Sequence, residues 1–373
     1  ITKMYAIGGS LFIHTTGGIY KTQSGQVTAP TNVGDILLGS SSLLTYPQLI
    51  TNTSDEGLFG LQHPNHGMMT DKGFLFVDYN AKQIILFTGS NFDVLSGPQS
   101  RMESFFKQYL NLCNKDDCSF EYREDTPNFI FGIDNRYNRL LFTKVDKDAS
   151  YTLSYDIGTK RWQSFHSYVP QLYHNDRNML YTIKDNKLYR HDVYDTFTTY
   201  YGEFKGIILD FTCTLDQDYF NWSHAEIFTE AKRGFIRDRD ITFNQVAMVN
   251  NWQSTGYLDL DVRTKVDDFA NDSEDKIKDK ITKIDLTRLP SSFRFNEVFD
   301  YTVNHEEATI IYDDCKPEPI LQNYGDYLDR NDQSYTDRIV SDNYQYYRFI
   351  FNTFADVKLY IKKIETAISR QPY

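Results

Sequence analysis

Four segments between residues 71 and 192 repeat one short plan of strand, tight polar turn and strand. They are DKGFLFVDYNAKQIILFTG (71–89), NFIFGIDNRYNRLLFTKVD (128–146), YTLSYDIGTKRWQSFHSY (151–168) and NMLYTIKDNKLYRHD (178–192). An earlier copy, GGSLFIHTTGGIYKTQSG (8–25), has the same form. The flanks are rich in Phe, Tyr, Ile and Leu, which suit a pleated surface. The turns carry the Asn, Asp and Gly that hairpin backbone angles demand. Antiparallel hairpins in series, with no helix between most of them, predict blades of a β-propeller.

A chain of 373 residues is long enough for two domains. Its aromatic content of 16% is mostly 28 Tyr and 27 Phe, which favours β structure over helix bundles. The predicted fold class is all-β. An incomplete β-propeller-type domain covers 1–202, with about four blades at roughly 40–45 residues each. An antiparallel β-sandwich or jelly-roll covers 203–373. The runs Phe74-Leu75-Phe76-Val77 and Ile84-Ile85-Leu86-Phe87 show no polar alternation, the pattern of strands covered on both faces. Beyond 203 the predicted strands are 206–215, 224–233, 244–252, 255–262, 307–314, 343–352 and 357–369. In the last, Val357, Leu359 and Ile361 alternate with Lys358, Tyr360 and Lys362, a strand with one face on a core. The charged run 266–280 reads as a solvated loop or short helix.

One helix interrupts the hairpins over 100–113. Met102, Phe105, Phe106, Tyr109, Leu110 and Cys113 share a face, and Ser100 with Glu103 forms a capping box. It reads as an insertion between blades. Residues 35–50 are a weaker helix or loop candidate. The chain opens at Ile1, and Met4 falls inside a predicted strand. A processed or C-terminal piece of a longer product is therefore expected, with further blades from a preceding segment.

The formal net charge is −12, which disfavours ordinary nucleic-acid binding and suits a wall that DNA slides past. Cys113, Cys118, Cys213 and Cys315 are too few for a disulfide framework, and no zinc spacing accompanies them. No apolar run reaches membrane-spanning length, and no signal peptide is visible. Phosphate loops, dinucleotide fingerprints, nucleophile elbows and metalloprotease motifs are absent from the sequence. His63 and His66, in HPNHG, are close enough to share a metal but more simply shape a turn. Asp71, Asp78, Asp134 and Asp156 sit at hairpin ends, where a propeller glycosidase would gather its carboxylates; Asp is equally at home there for backbone reasons. No catalytic, cofactor-binding or metal residue is assigned. The structural residues singled out are Asp156 and Gly158 in the turn before Trp162, Trp162 itself, and Phe105 and Phe106 on the helix. The indole after that turn follows kelch-like spacing and fills the gap between neighbouring sheets. Trp222 and Trp252 are the remaining candidates for stacking on a sugar.

TLSYDIGTKRWQSFHSY (152–168) resembles a signature hairpin of tail proteins in crAss-like bacteriophages. GLQHPNHGMMTDKGFLFVDYNAKQIILFTG (60–89), LSGPQSRMESFFKQYLN (95–111) and the ending 342–373 are similar to further parts of the same proteins. The resemblance is to the muzzle family at the distal end of the short tail, related to the propeller-bearing nozzle and stabilisation proteins of other podoviruses. It implies a structural virion protein without catalysis. It implies a ring of identical subunits, roughly six, closed around the DNA exit channel. Such a ring retains the genome, opens for ejection, and contacts other tail ring and fibre proteins. The alternatives are a glycan-binding receptor-recognition module and a propeller-fold glycoside hydrolase.

Overall fold

The computed structural model describes residues 1–31, 34–50, 59–110, 128–146, 150–176, 178–192, 197–214, 220–250, 253–262, 283–296, 310–312, 319–321, 341–342, 344–354 and 356–370. The chain is all-β, with one short α-helix among the described residues. It divides into two compact units, the first over Ile1–Asp192 with Asp313–Pro317, the second over Val193–Tyr312 with Glu318–Tyr373.

The first unit is a succession of antiparallel meanders. The first sheet runs Lys3–Ile7, Ser10–Thr15, Gly18–Thr22 and Gln48–Ile50. The second runs Gly67–Thr70, Gly73–Asp78, Gln83–Phe87 and Phe92–Val94. The third runs Phe129–Asp134, Arg139–Lys144, Tyr151–Asp156 and Arg161–His166. The fourth has the three strands Leu172–Asp176, Met179–Lys184 and Lys187–Arg190. Every hairpin read from the sequence is present. The segments 128–146 and 151–168, read as separate units, are two halves of one sheet, because Arg139–Lys144 also pairs with Tyr151–Asp156.

Two readings need correction. Residues 35–50 are not helical: Gly34–Leu44 pairs with Ser24–Thr31, and Gln48–Ile50 closes the first sheet. Ile36-Leu37-Leu38 has no periodicity of its own, and the strand opposite it decides the outcome. The helix spans Glu103–Tyr109, and its predicted capping box does not form. Ser100 lies in the 3-10 turn Pro98–Ser100, where its hydroxyl donates to the Gly97 carbonyl at 2.8 Å. Arg101, at φ 57°, then breaks the path, so Met102 becomes the N-cap without a side-chain bond. The predicted apolar face is real: Phe106, Tyr109 and Leu110 are buried, with Met102 and Phe105 packed beside them. Cys113 lies outside the described residues.

In the second unit a ten-stranded sheet curls into a half-barrel. Its order is Ile207–Thr214, Tyr344–Phe351, Gln245–Val249, Ser254–Val262, Lys283–Arg288, Phe293–Asn296, Phe220–Arg233 and Ile236–Asp238. Ser341–Asp342 and Val357–Arg370 also pair with Phe220–Arg233. One step is parallel, between Ser254–Val262 and Lys283–Arg288. The core inside the curl draws Trp222, Ile227, Met248, Phe295, Tyr347 and Phe349 from strands on both flanks, and Phe243 from the segment just before Gln245–Val249. The strand 357–370 keeps its predicted alternation only at first. Val357 and Leu359 pack on the core, but Ile361 is 39% exposed. The register shifts opposite Phe228 and Thr229, leaving Lys362 as the extra residue of a β-bulge, after which Ile364 takes the core side. The run 266–280 lies outside the described residues.

Candidate functional site

Sheet-on-sheet joints are the most developed feature of the first unit. The two faces of the second sheet go to different neighbours, as its unbroken apolar runs require. Phe74, Phe76, Ile85 and Phe87 meet Tyr5, Phe12 and Ile19 of the first sheet. Tyr5 stacks on Phe74 at 4.0 Å between centroids, and Phe12 meets Phe87 edge-on at 5.0 Å. On the other face Leu75, Val77 and Ile84 join Phe129, Phe131, Leu140 and Phe142 of the third sheet. The helix is wedged into the same cluster through Phe106.

Trp162 fastens this joint. Its half-buried indole donates to the Leu95 carbonyl at 2.9 Å, and its ring lies 5.0 Å from Phe106 and 5.2 Å from Tyr155. Phe105, next to Phe106, packs on Tyr109, Tyr151 and Phe165. The turn before Trp162 is pinned by Asp156, whose carboxylate accepts the Thr159 N–H at 2.6 Å and the Gln163 amide at 3.0 Å. The Thr159 bond, foremost, holds the Asp156 carboxyl below its usual range. Gly158 does not occupy the left-handed region; Lys160 does, at φ 56°.

The joint between the third and fourth sheets was not anticipated from the sequence. It is polar. Thr143 and Thr152 share a hydrogen bond at 2.8 Å, Thr143 also meets the Tyr173 hydroxyl at 2.5 Å, and Thr152 donates to the Tyr168 carbonyl. Gly132 leaves room for the Tyr173 ring: a Cβ there would lie 2.5 Å from the ring carbon Cγ. The one available signal was a glycine in a strand interior, which marks close approach of another group.

Asp78 and Asp134 each accept a backbone N–H of their own turn, and Asp78 also holds the 60–62 segment. Asp78 is buried and accepts the Gly60 N–H at 2.8 Å, the Gln62 amide at 3.0 Å and the Asn80 N–H at 3.0 Å. Asp134 accepts the Arg136 N–H and pairs with Arg139. Asp71 sits in the exposed turn between its strands. The bonds to Asn80 and Arg136 are the Asx-turn role that Asp plays for backbone reasons.

The histidines serve packing. His63 Nδ1 accepts the Asn65 N–H at 3.1 Å, and His66 Nε2 accepts the Asn128 N–H at 3.3 Å, so each ring directs one lone pair to backbone. Among the described residues no three His, Cys, Asp or Glu are grouped to hold a metal. Burial pushes His66 down to about 3, helped by the charge of His63. Burial likewise lowers His14 to about 4, although the Phe59 carbonyl at 3.0 Å opposes the shift. Trp222 is buried in the second unit, and Trp252 lies outside the described residues. Trp222 therefore presents no open face for a sugar, while the half-buried Trp162 commits its indole N–H to Leu95.

A cleft of about 450 Å³ opens beside the hairpin of Phe220–Arg233 and Ile236–Asp238, lined by Arg233, Arg237, Arg239 and Arg288 with Asp238 and Asp240. Arg233 pairs with Asp356 at 3.1 Å and Arg288 with Asp240 at 2.5 Å, which offsets much of the positive charge.

Residues 15–186 match the family model described as the Crassvirus muzzle protein. These residues belong to the muzzle family of crAss-like phages. The matched stretch begins in the first sheet and ends in the last hairpin of the fourth, so it spans the joints just described. Muzzle proteins of crassviruses are components of the virion tail, and the chain is accordingly a structural phage-tail protein. The similarity read at 342–373 lies beyond the matched residues. No curated protein matches the chain.

Proposed function

We propose that the chain helps build the distal ring of a short phage tail, closed around the DNA exit channel, which retains the packaged genome and opens for ejection. The subunits of the ring are identical and number roughly six, a cyclic assembly. The supporting observation is the sheet stack within the muzzle-family match, in which each internal sheet is buried on both faces. We read that stack as propeller-type. Such stacks are stiff and keep only short edges, properties that suit a wall under load. The net charge of −12 repels phosphate, so DNA passes without sequence-specific contact. Other tail ring proteins, the fibres and a preceding part of the same gene product are the expected neighbours. The role is mechanical, without catalysis.

Electron microscopy of the source particles with antibody label tests this reading. Label at the tail tip, as a closed ring around a channel, is the expected result. Label along fibres, or particles without label, would overturn it in favour of glycan recognition.

A further inference from the structure

The hairpin that joins Phe220–Arg233 to Ile236–Asp238 carries apolar residues where a turn ordinarily carries polar ones. Its apex is Gly234-Phe235, with Arg233 and Ile236 paired directly beneath. Phe235 is 105% exposed and Ile236 76%, so both side chains stand in solvent. Phe354 lies at the same end of the sheet, its ring 5.4 Å from the Arg233 guanidinium.

One step behind Arg233 and Ile236 runs a row of like charges. Arg237, Lys232 and Lys358 stand in direct register across three neighbouring strands. Cations placed directly opposite one another destabilise a sheet. Glu230 offsets part of this, reaching Lys232 at 3.4 Å and Lys362 at 2.8 Å. Arg237 and Lys358 have no acidic partner among the described residues. The other acids near the hairpin are engaged elsewhere: Asp356 with Arg233, Asp240 with Arg288, and Asp238 with the Asp240 N–H. An anionic surface meeting the row would turn its cost into binding.

We propose that this hairpin docks on an anionic phospholipid bilayer, lying on the membrane without crossing it. The spacing fits. At about 3.3 Å per residue, the cation row stands roughly 7 Å behind the apex. Interfacial elements bury their apolar side chains about 5–10 Å into the headgroup boundary. With Phe235 and Ile236 inserted that far, Arg237, Lys232 and Lys358 lie level with the lipid phosphates. A second copy of this chain is the poorer occupant. It would have to offer an apolar pocket and, one step away, a carboxylate to each of three strands; a bilayer presents both layers by its own structure. The net charge of −12 does not prevent the contact, because salt screens charges beyond about 8 Å. The inference goes beyond the ring reading and does not rest on it: the chain binds vesicles or fails to whatever the geometry of the tail.

Flotation of the 373-residue chain with vesicles tests it. Vesicles of phosphatidylglycerol mixed with phosphatidylcholine should carry the chain, and vesicles of phosphatidylcholine alone should not. Replacing both tip residues, Phe235→Ser with Ile236→Ser, should weaken binding by roughly tenfold or more, as should Arg237→Gln with Lys358→Gln. All four side chains are exposed, so melting temperatures should match the parent. In Phe235→Trp, the emission of the new indole should shift to the blue with the anionic vesicles. No flotation, or flotation unchanged in both double variants, would overturn the proposal. Binding that survives loss of the tip and is abolished by inorganic phosphate would reduce the row to a site for free anions. Association of the chain with itself that is lost with the tip residues would assign the hairpin to a second copy.

Discussion

The indole N–H of Trp162 donates to the Leu95 carbonyl at 2.9 Å, tying the third sheet to the segment that leaves the second. The sequence separation is large, so the bond acts as a strap between sheets rather than within one. Trp162→Phe keeps a ring against Phe106 but leaves that carbonyl without its partner. A loss of about 1–2 kcal/mol is expected, with Trp162→Ala costing about 3 kcal/mol or more. Urea unfolding of both variants checks this; a Phe variant as stable as the parent would show that the strap contributes only through packing.

Gly132 faces the ring of Tyr173, and Gly132→Ala places a methyl where no free space exists. The expected cost is about 1–3 kcal/mol, the range for overpacking. Amide exchange should speed up first in 172–190, the sheet that the clash pushes away. Unchanged protection there would mean that the ring simply swings aside.

At the 156–161 turn, glycine and strain sit on different residues. Gly158→Ala should shift stability by no more than about 0.5 kcal/mol, since its nearest would-be contact is Asp156 Oδ1 at 3.3 Å and its φ is ordinary. Lys160→Gly should gain about 0.5–1 kcal/mol by relieving a left-handed lysine. Thermal melts of the two variants decide between these assignments.

His14, His66, His166 and His191 all sit well below the ordinary histidine value, at about 4, 3, 3 and 4, with burial the main cause in each. They are neutral in the fold and bind protons more readily once unfolded. Their contribution is therefore complete above about pH 6.5 and is lost as pH falls from there toward the folded values. For His14 alone the loss at pH 5 is on the order of 2 kcal/mol. Melting temperature should fall steeply between pH 7 and 4, and His14→Gln should flatten part of that slope.

Hairpin existence was readable because each hairpin is local: Phe74-Leu75-Phe76-Val77 and the turn at 79–82 lie next to their own partner strand. Burial on both faces was readable for the same run, since no polar residue interrupts it. What escaped was long-range. Nothing near Ile36-Leu37-Leu38 announces the opposing strand, and the Ser100–Glu103 spacing does not show that the Ser100 hydroxyl goes to the Gly97 carbonyl instead. The Thr143–Thr152–Tyr173 joint escaped because threonines in strands look ordinary until a third element supplies the phenol. Trp162 was placed by its turn spacing, but its acceptor at Leu95 depends on the fold.

The pairing of Phe220 with Arg370 sets a schedule for synthesis. Each meander of the first unit closes on strands made moments earlier, so those sheets are free to form while the ribosome is still working. The 14-residue strand Phe220–Arg233 must wait for Val357–Arg370, roughly ten seconds at ordinary elongation rates. During that wait its long edge stays open to any other nascent chain, so chaperone supply during translation should limit the yield of the half-barrel more than that of the sheet stack.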